Sequence, residues 1–221
     1  MQMKPMTSVP DSWERLFAPA LRLLDDVQAR AGAAPFWTFG GGTVLMLRYR
    51  HRLSRDVDIF VPDPQTLGYV TPRLSDVAES ITENYVEAAL YVKLVLPAGE
   101  IDFVAAPNLT AAPFEEWRLL EHAVKVETAT EIVAKKMWHR GDRATARDLF
   151  DLALVIREEP EDLRKAAPFL VRHRAAFLEQ LETRKEVLQE AFAAIDALDF
   201  RPTYAECVAV AREFLDGLPA S

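Results

Sequence analysis

Residues 39–60 run FGGGTVLMLRYRHRLSRDVDIF. A short strand, Phe36 to Phe39, leads into Gly40-Gly41-Gly42, and Thr43-Val44-Leu45-Met46-Leu47 opens a helix. Glycine lets the backbone approach a neighbour closely and adopt positive φ. Glycine N–H groups at a helix start form an anion site suited to phosphates. Val57 to Val61 forms a second strand, stopped by Pro62 and Pro64. Residues i and i+2 of a strand face the same side, so Asp56 and Asp58 are expected to present paired carboxylates. Such charges repel unless a cation lies between them, and oxygen ligands suit hard divalent ions such as Mg²⁺. The glycines fit neither a Walker A loop, which continues Gly-Lys-Ser/Thr, nor the G-x-G-x-x-G loop of dinucleotide folds.

A third carboxylate comes from Glu100-Ile101-Asp102-Phe103-Val104, where Asp102 faces away from its apolar neighbours. If this strand pairs beside the Asp58 strand, three carboxylates converge next to a phosphate cradle, the equipment for two-metal phosphoryl or nucleotidyl transfer. Each feature alone has a plainer explanation. Acidic pairs at strand ends are usually solvated, glycine triplets are usually turns, and Asp102 could cap the turn at Gly99. Their order and spacing favour the catalytic one.

Working outward, residues 12–31 form an amphipathic helix through Leu16, Leu21, Leu23, Leu24 and Val27. A helix is expected from Leu74 to about Asn84, strands over Val86–Leu96 and Glu100–Ala105 around Pro97-Ala98-Gly99, and a short strand over Ala123–Val126. From Thr128 onward the chain is helical. Thr128-Ala129-Thr130-Glu131 matches a capping box, a helix follows to about Arg140, and another spans Ala144 to Arg157. Leu181, Leu188, Phe192 and Ile195 form an apolar stripe, and a last helix covers Tyr204 to Leu215. The expected fold is α+β: a small mixed β-sheet core with flanking helices over 1–127, then a helical bundle over 128–221.

With 221 residues, 50% hydrophobic and 27% charged, the chain can bury a full core and is neither disordered nor collagen-like. Its single cysteine, Cys207, excludes an intrachain disulfide and is expected to be inert core. The first residues lack the apolar region of a signal peptide and no stretch is long enough to span a membrane, so a cytoplasmic protein is expected. The net charge of −8 disfavours generic nucleic-acid binding. It hides two basic segments, residues 44–55 with four arginines and no acid, and residues 135–147 with five Lys/Arg and one acid. Arg48, Arg50, His51 and Arg52 could line a nucleic-acid approach or pair with acids of the C-terminal third.

Phe39 to Phe60 resembles the signature of the nucleotidyltransferase superfamily, in particular the AbiEii/AbiGii toxin family of abortive-infection and toxin–antitoxin systems. Glu131 to Leu152, EIVAKKMWHRGDRATARDLFDL, resembles that family's helical motif through Lys136, Arg143, Arg147 and Asp148. The resemblance implies that Gly41, Gly42 and Thr43 cradle a triphosphate and that Ser54 lies by the phosphates. It implies Mg²⁺ or Mn²⁺ on Asp56 and Asp58, with Asp102 as third metal ligand or base. Lys136 would neutralise triphosphate charge, and Asp148 would orient Lys136 or touch base or ribose, so that the helical domain completes the active site. Asp151 lies three residues beyond Asp148 and could share or take its role. The implied activity is transfer of NMP from NTP to an acceptor hydroxyl, in RNA and particularly a tRNA 3′ end, by a toxin with a cognate antitoxin. A small-molecule acceptor, or nucleotide or partner binding without catalysis, are the rival functions.

Overall fold

The computed structural model describes residues 13–219. The segment compared with a signal peptide, up to Pro10, and the expected helix start at Ser12 lie outside the described residues. The described chain divides into two compact units. One comprises residues 13–48, 54–107 and 116–126, the other residues 49–53, 108–115 and 127–219.

The first unit carries α1 (Glu14–Ala31), β1 (Thr38–Gly40), α2 (Gly41–Tyr49), β2 (Val57–Val61), α3 (Leu67–Val70) and α4 (Asp76–Ile81). It continues through β3 (Tyr85–Ala88), β4 (Tyr91–Leu96), β5 (Gly99–Ala105), β6 (Phe114–Leu119) and β7 (His122–Glu127). The strands form one mixed sheet in the order β3-β4-β5-β2-β1-β7-β6. β2 runs antiparallel to β1 and parallel to β5, and β1 runs parallel to β7.

Register sorts the side chains into two faces. Val92, Phe103, Ile59, Phe39 and Val126 form one cross-strand row, all buried. Helix α1 covers this face, with the ring of its Phe17 at 4.8 Å from Phe39 and that of Trp13, the residue before the helix, at 6.1 Å. The apolar stripe of α1 supplies Leu16, Leu23, Leu24 and Val27, and the helix ends on Gly32, at φ 76°. One residue along each strand, on the opposite face, the row is Gly40, Asp58, Asp102 and Lys93.

Several boundaries differ from expectation for local reasons. β1 is shifted to Thr38–Gly40, and α2 begins at Gly41 rather than Thr43, because the chain reverses through positive φ (72°) at Gly41. The helix expected from Leu74 is only α4. Ser75 caps it, its hydroxyl accepting the Ala78 N–H at 3.2 Å, and Thr82 is already extended. The single strand expected over 86–96 is the hairpin β3–β4, whose Ala89-Leu90 connection has no glycine, asparagine or proline. β6 was not expected: its turn to β7 is made by Leu120 and Glu121, both at positive φ, which asparagine and glycine usually supply.

The second unit holds α5 (Ala129–Arg140), α6 (Ala146–Glu158), α7 (Pro160–Lys165), α8 (Ala167–Leu170), α9 (Arg174–Thr183), α10 (Lys185–Ala193) and α11 (Tyr204–Asp216). Phe150 of α6 anchors its core, with Phe192 and Phe200 at 5.5 and 5.1 Å between ring centroids. Cys207 is buried in α11, and burial pushes its thiol up to about 12.

Phe103 is fully buried in the core-facing row. Phe103→Ala is expected to lower unfolding stability by about 3–5 kcal/mol, measured by urea denaturation; a loss under about 1 kcal/mol would mean that the row does not carry the core.

Candidate active site

In the first unit the site starts from a missing side chain. A Cβ placed on Gly41 would fall 2.9 Å from the Asp58 Cβ and closer still to its carboxylate. Glycine therefore does two things here: it accepts the positive φ, and it lets Asp58 lie against the first residue of α2. A carboxylate at a helix N-terminus is favoured by the unpaired N–H groups there. The Thr43 hydroxyl donates to the Asp56 carbonyl at 2.5 Å and so ties the start of α2 to the residue preceding β2. Gly41, Gly42 and Thr43 are all buried. Ser54 is half-buried in the loop before β2, its N–H directed at Met46 Sδ at 3.2 Å.

The carboxylates do not arrive as strand alternation alone suggests. Asp58 and Asp102 are direct partners in the parallel β2–β5 register and share one face. Asp56 precedes the strand, and its Oδ1 accepts the Glu100 N–H at 3.1 Å. It remains near enough that its charge bears on Asp102. Burial is the main influence raising the Asp102 pKa above the ordinary carboxylate value; Lys93 opposes it, while Glu100 and Asp56 add to it. Asp102 Oδ1 is buried without a hydrogen-bond partner. Lys93, directly opposite on β4, places Nζ 3.4 Å from Asp102 Oδ2 and also pairs with Glu100.

These donors fit a hard cation. All are carboxylate oxygens, Asp58 and Asp102 are adjacent, and one buried oxygen of Asp102 has no partner. Among the described residues no three His, Cys, Asp or Glu side chains stand close enough together to hold a metal ion, so the carboxylates form a row rather than a closed cage.

The second unit contains a dense ionic network. Asp151 is fully buried. Its Oδ1 accepts from Arg52 Nε at 2.8 Å and faces His51 Nε2 at 2.9 Å. Its Oδ2 accepts from Arg52 Nη2 at 2.9 Å and Lys136 Nζ at 2.5 Å. Lys136 also reaches Asp148 Oδ1 at 3.1 Å, which Arg140 contacts at 2.5 Å. The other oxygen of Asp148 accepts the Thr145 hydroxyl at 2.7 Å in a capping box that starts α6. Burial pushes the pKa of both acids upward, but the surrounding cations outweigh it: Asp148 is lowered, and Asp151 is held well below the ordinary carboxylate value.

The neighbouring lysine is engaged elsewhere. Lys135 is buried, with Nζ 2.5 Å from Glu127 and 3.5 Å from Glu131. At Thr128 the expected capping box is half made. Thr128 accepts the Glu131 N–H at 3.2 Å, but the Glu131 carboxylate accepts from Leu109 N, Thr110 N and the Thr110 hydroxyl instead of returning to the cap. The basic run at the end of α2 and beyond it is also engaged: Arg48 lies over the Trp117 ring at 4.6 Å, Arg50 pairs with Asp199 at 3.1 Å, and Arg52 pairs with Asp151.

Lys93 and Thr145 were missed from sequence. Lys93 could have been found by pairing residues back from the turn at Pro97-Ala98, and Thr145 by the spacing Thr-x-x-Asp.

A mixed sheet with paired acids on adjacent strands, beside a helix that starts on glycine, places the chain in the nucleotidyltransferase class. It belongs to the nucleotidyl transferase AbiEii toxin family, type IV toxin–antitoxin system, whose model matches residues 22–218. Two solved structures share the fold. A proposed nucleotidyltransferase from Helicobacter pylori has 16% identity and a TM-score of 0.52, covering 95% of this chain and 97% of that one. JHP933 from Helicobacter pylori has 17% identity and a TM-score of 0.50, covering 96% and 95%. No curated protein matches this chain.

Gly41→Ala is expected to cost at least about 1 kcal/mol through positive φ alone, and more as Asp58 is displaced; a melt indistinguishable from wild type would contradict the close approach. Asp151→Ala strands buried cations and is expected to cost about 3–5 kcal/mol, read by the same melt.

The pH dependence follows from His51. Burial lowers its pKa below 6.5, against the influence of Asp151. Below pH 6.5 the unfolded chain therefore binds a proton that the folded chain refuses, and stability falls as pH drops toward the folded pKa. His51→Gln is expected to flatten this slope in urea titrations; an unchanged slope would assign it to other groups.

Proposed function

We propose that this nucleotidyltransferase is metal-dependent and transfers NMP from NTP to a hydroxyl of RNA, particularly a tRNA 3′ end. The acceptor oxygen bonds the α-phosphorus, pyrophosphate leaves, and the hydroxyl proton passes to solvent. The observation that carries this function is the side-by-side placement of Asp58 and Asp102 next to the glycine-led start of α2. Asp58 and Asp102 would hold Mg²⁺ or Mn²⁺, which would supply positive charge for the reacting phosphate, with Asp56 adding negative charge beside them. Gly41, Gly42 and Thr43 would offer backbone N–H groups to the triphosphate, with Ser54 by the phosphates.

Lys136 enters this proposal through the sequence resemblance, as the cation for the triphosphate. Its support is that Asp148 and Asp151 fix its ammonium from two sides. Asp148 orients Lys136, and Asp151 shares that task. An RNA acceptor is supported by the exposed Arg143 and Arg147 and by Arg172, which lies 4.4 Å over the Trp138 ring. Arginine and aromatic surfaces together suit nucleic-acid strands. We take the chain to be the toxin of a pair, acting in the cytoplasm with a cognate antitoxin. Among the described residues no helix is long and apolar enough to cross a membrane.

The test is incubation with labelled NTPs, Mg²⁺ and total RNA. Label transfer is expected for wild type and a loss of roughly a hundredfold or more for Asp58→Asn and Lys136→Ala. Transfer to small-molecule hydroxyls but not RNA would overturn the acceptor, and NTP binding without transfer to any acceptor would overturn catalysis.

A further inference from the structure

The face that carries Asp58 and Asp102 contains a cation of its own. Lys93 is the direct cross-strand partner of Asp102, which is in turn the direct partner of Asp58. Three adjacent strands thus set an acid, an acid and an ammonium in one line. Lys93 is drawn in two directions, to Asp102 at 3.4 Å and to Glu100 through its shorter ion pair. Asp102 has one oxygen toward Lys93 and the other buried without a hydrogen-bond partner. A desolvated carboxylate needs a counter-charge. Here a lysine supplies it at the position where a third metal ligand is expected.

We propose that Lys93 is a positioning residue: it is the resident counter-ion of Asp102, and Asp102 exchanges this ammonium for a divalent ion while Lys93 stays on Glu100. The inference rests on the metal-dependent reading above. A lysine has a strongly hydrated, compact charge and a flexible stem, so it can hold the carboxylate in line and release it without moving the strand. Glu100 gives the released ammonium a partner already in place. Metal binding then competes with an internal ion pair, which weakens the first binding event and keeps Asp102 ordered before it.

The experiment is calorimetric titration of Mn²⁺, without nucleotide, into wild type, Lys93→Met, Lys93→Gln, Asp102→Asn and the Lys93→Met/Asp102→Asn double variant. Folding of each is checked by circular dichroism, and the glutamine variant serves if the methionine one does not fold. Removing the ammonium is expected to tighten Mn²⁺ binding about fivefold, the size of a partly exposed ion pair. In the Asp102→Asn background the same removal is expected to change nothing, because there is no carboxylate to release. Unchanged or weaker binding in the Lys93 variants overturns the exchange. Equal tightening with and without Asp102 also overturns it, by assigning the effect to general charge repulsion. No Mn²⁺ binding by wild type overturns the metal-dependent reading itself, whereas binding indifferent to Lys93 overturns only this inference.

Discussion

The candidate site of the first unit depends on the close approach of Asp58 to Gly41. A side chain at position 41 would occupy the space of the Asp58 carboxylate, and the backbone there has a φ that favours glycine. With both conditions met, a carboxylate can lie at the start of α2 while its strand stays in register with β1 and β5. The Thr43–Asp56 hydrogen bond closes the same junction from the other side. Sheet register then does the rest: once Asp58 is fixed, its partner Asp102 faces the same way, and so does Lys93 beyond it.

The helical unit solves a different electrostatic problem. It buries Asp151 completely, which is costly for a lone charge, and surrounds it with Arg52, Lys136 and His51. The bidentate Arg52 contact suits a planar guanidinium. His51 fits as a neutral ring that donates from Nε2 and leaves Nδ1 as the atom without a partner. An unmet lone pair there avoids adding another buried charge. Removing one member leaves the others unbalanced, so the network fixes the Lys136 ammonium more firmly than one ion pair would.

Much of this was legible in the residues. The glycine run, the second strand with its proline stop, and the apolar flanks of Asp102 indicated the sheet core, and the tail was recognisably helical. Asp56 was less legible, since strand alternation does not govern a residue that precedes the strand; its carboxylate instead accepts an N–H at the start of β5. The β6–β7 hairpin was hidden because Leu120 and Glu121 adopt positive φ without the usual turn residues. Glu131 has the spacing of a capping box, but its carboxylate instead accepts from the loop at Leu109 and Thr110. The centrality of Asp151 depends on Arg52 and His51, which lie about a hundred residues away in sequence, a separation no local pattern reveals. Lys135 is buried against Glu127 while Lys136 lies between Asp148 and Asp151, a difference that two adjacent lysines do not display in sequence.

We propose that Asp58 and Asp102 hold a divalent ion on the face of the sheet opposite α1. The most direct measurement is a crystal structure of the protein with Mn²⁺ and a non-hydrolysable NTP, with the metal located by its anomalous signal. A peak is expected about 2.1 Å from an oxygen of Asp58 and within ligand distance of Asp102, with the triphosphate at the start of α2. A peak elsewhere, or none with the nucleotide bound and Asp102 still on Lys93, would contradict it.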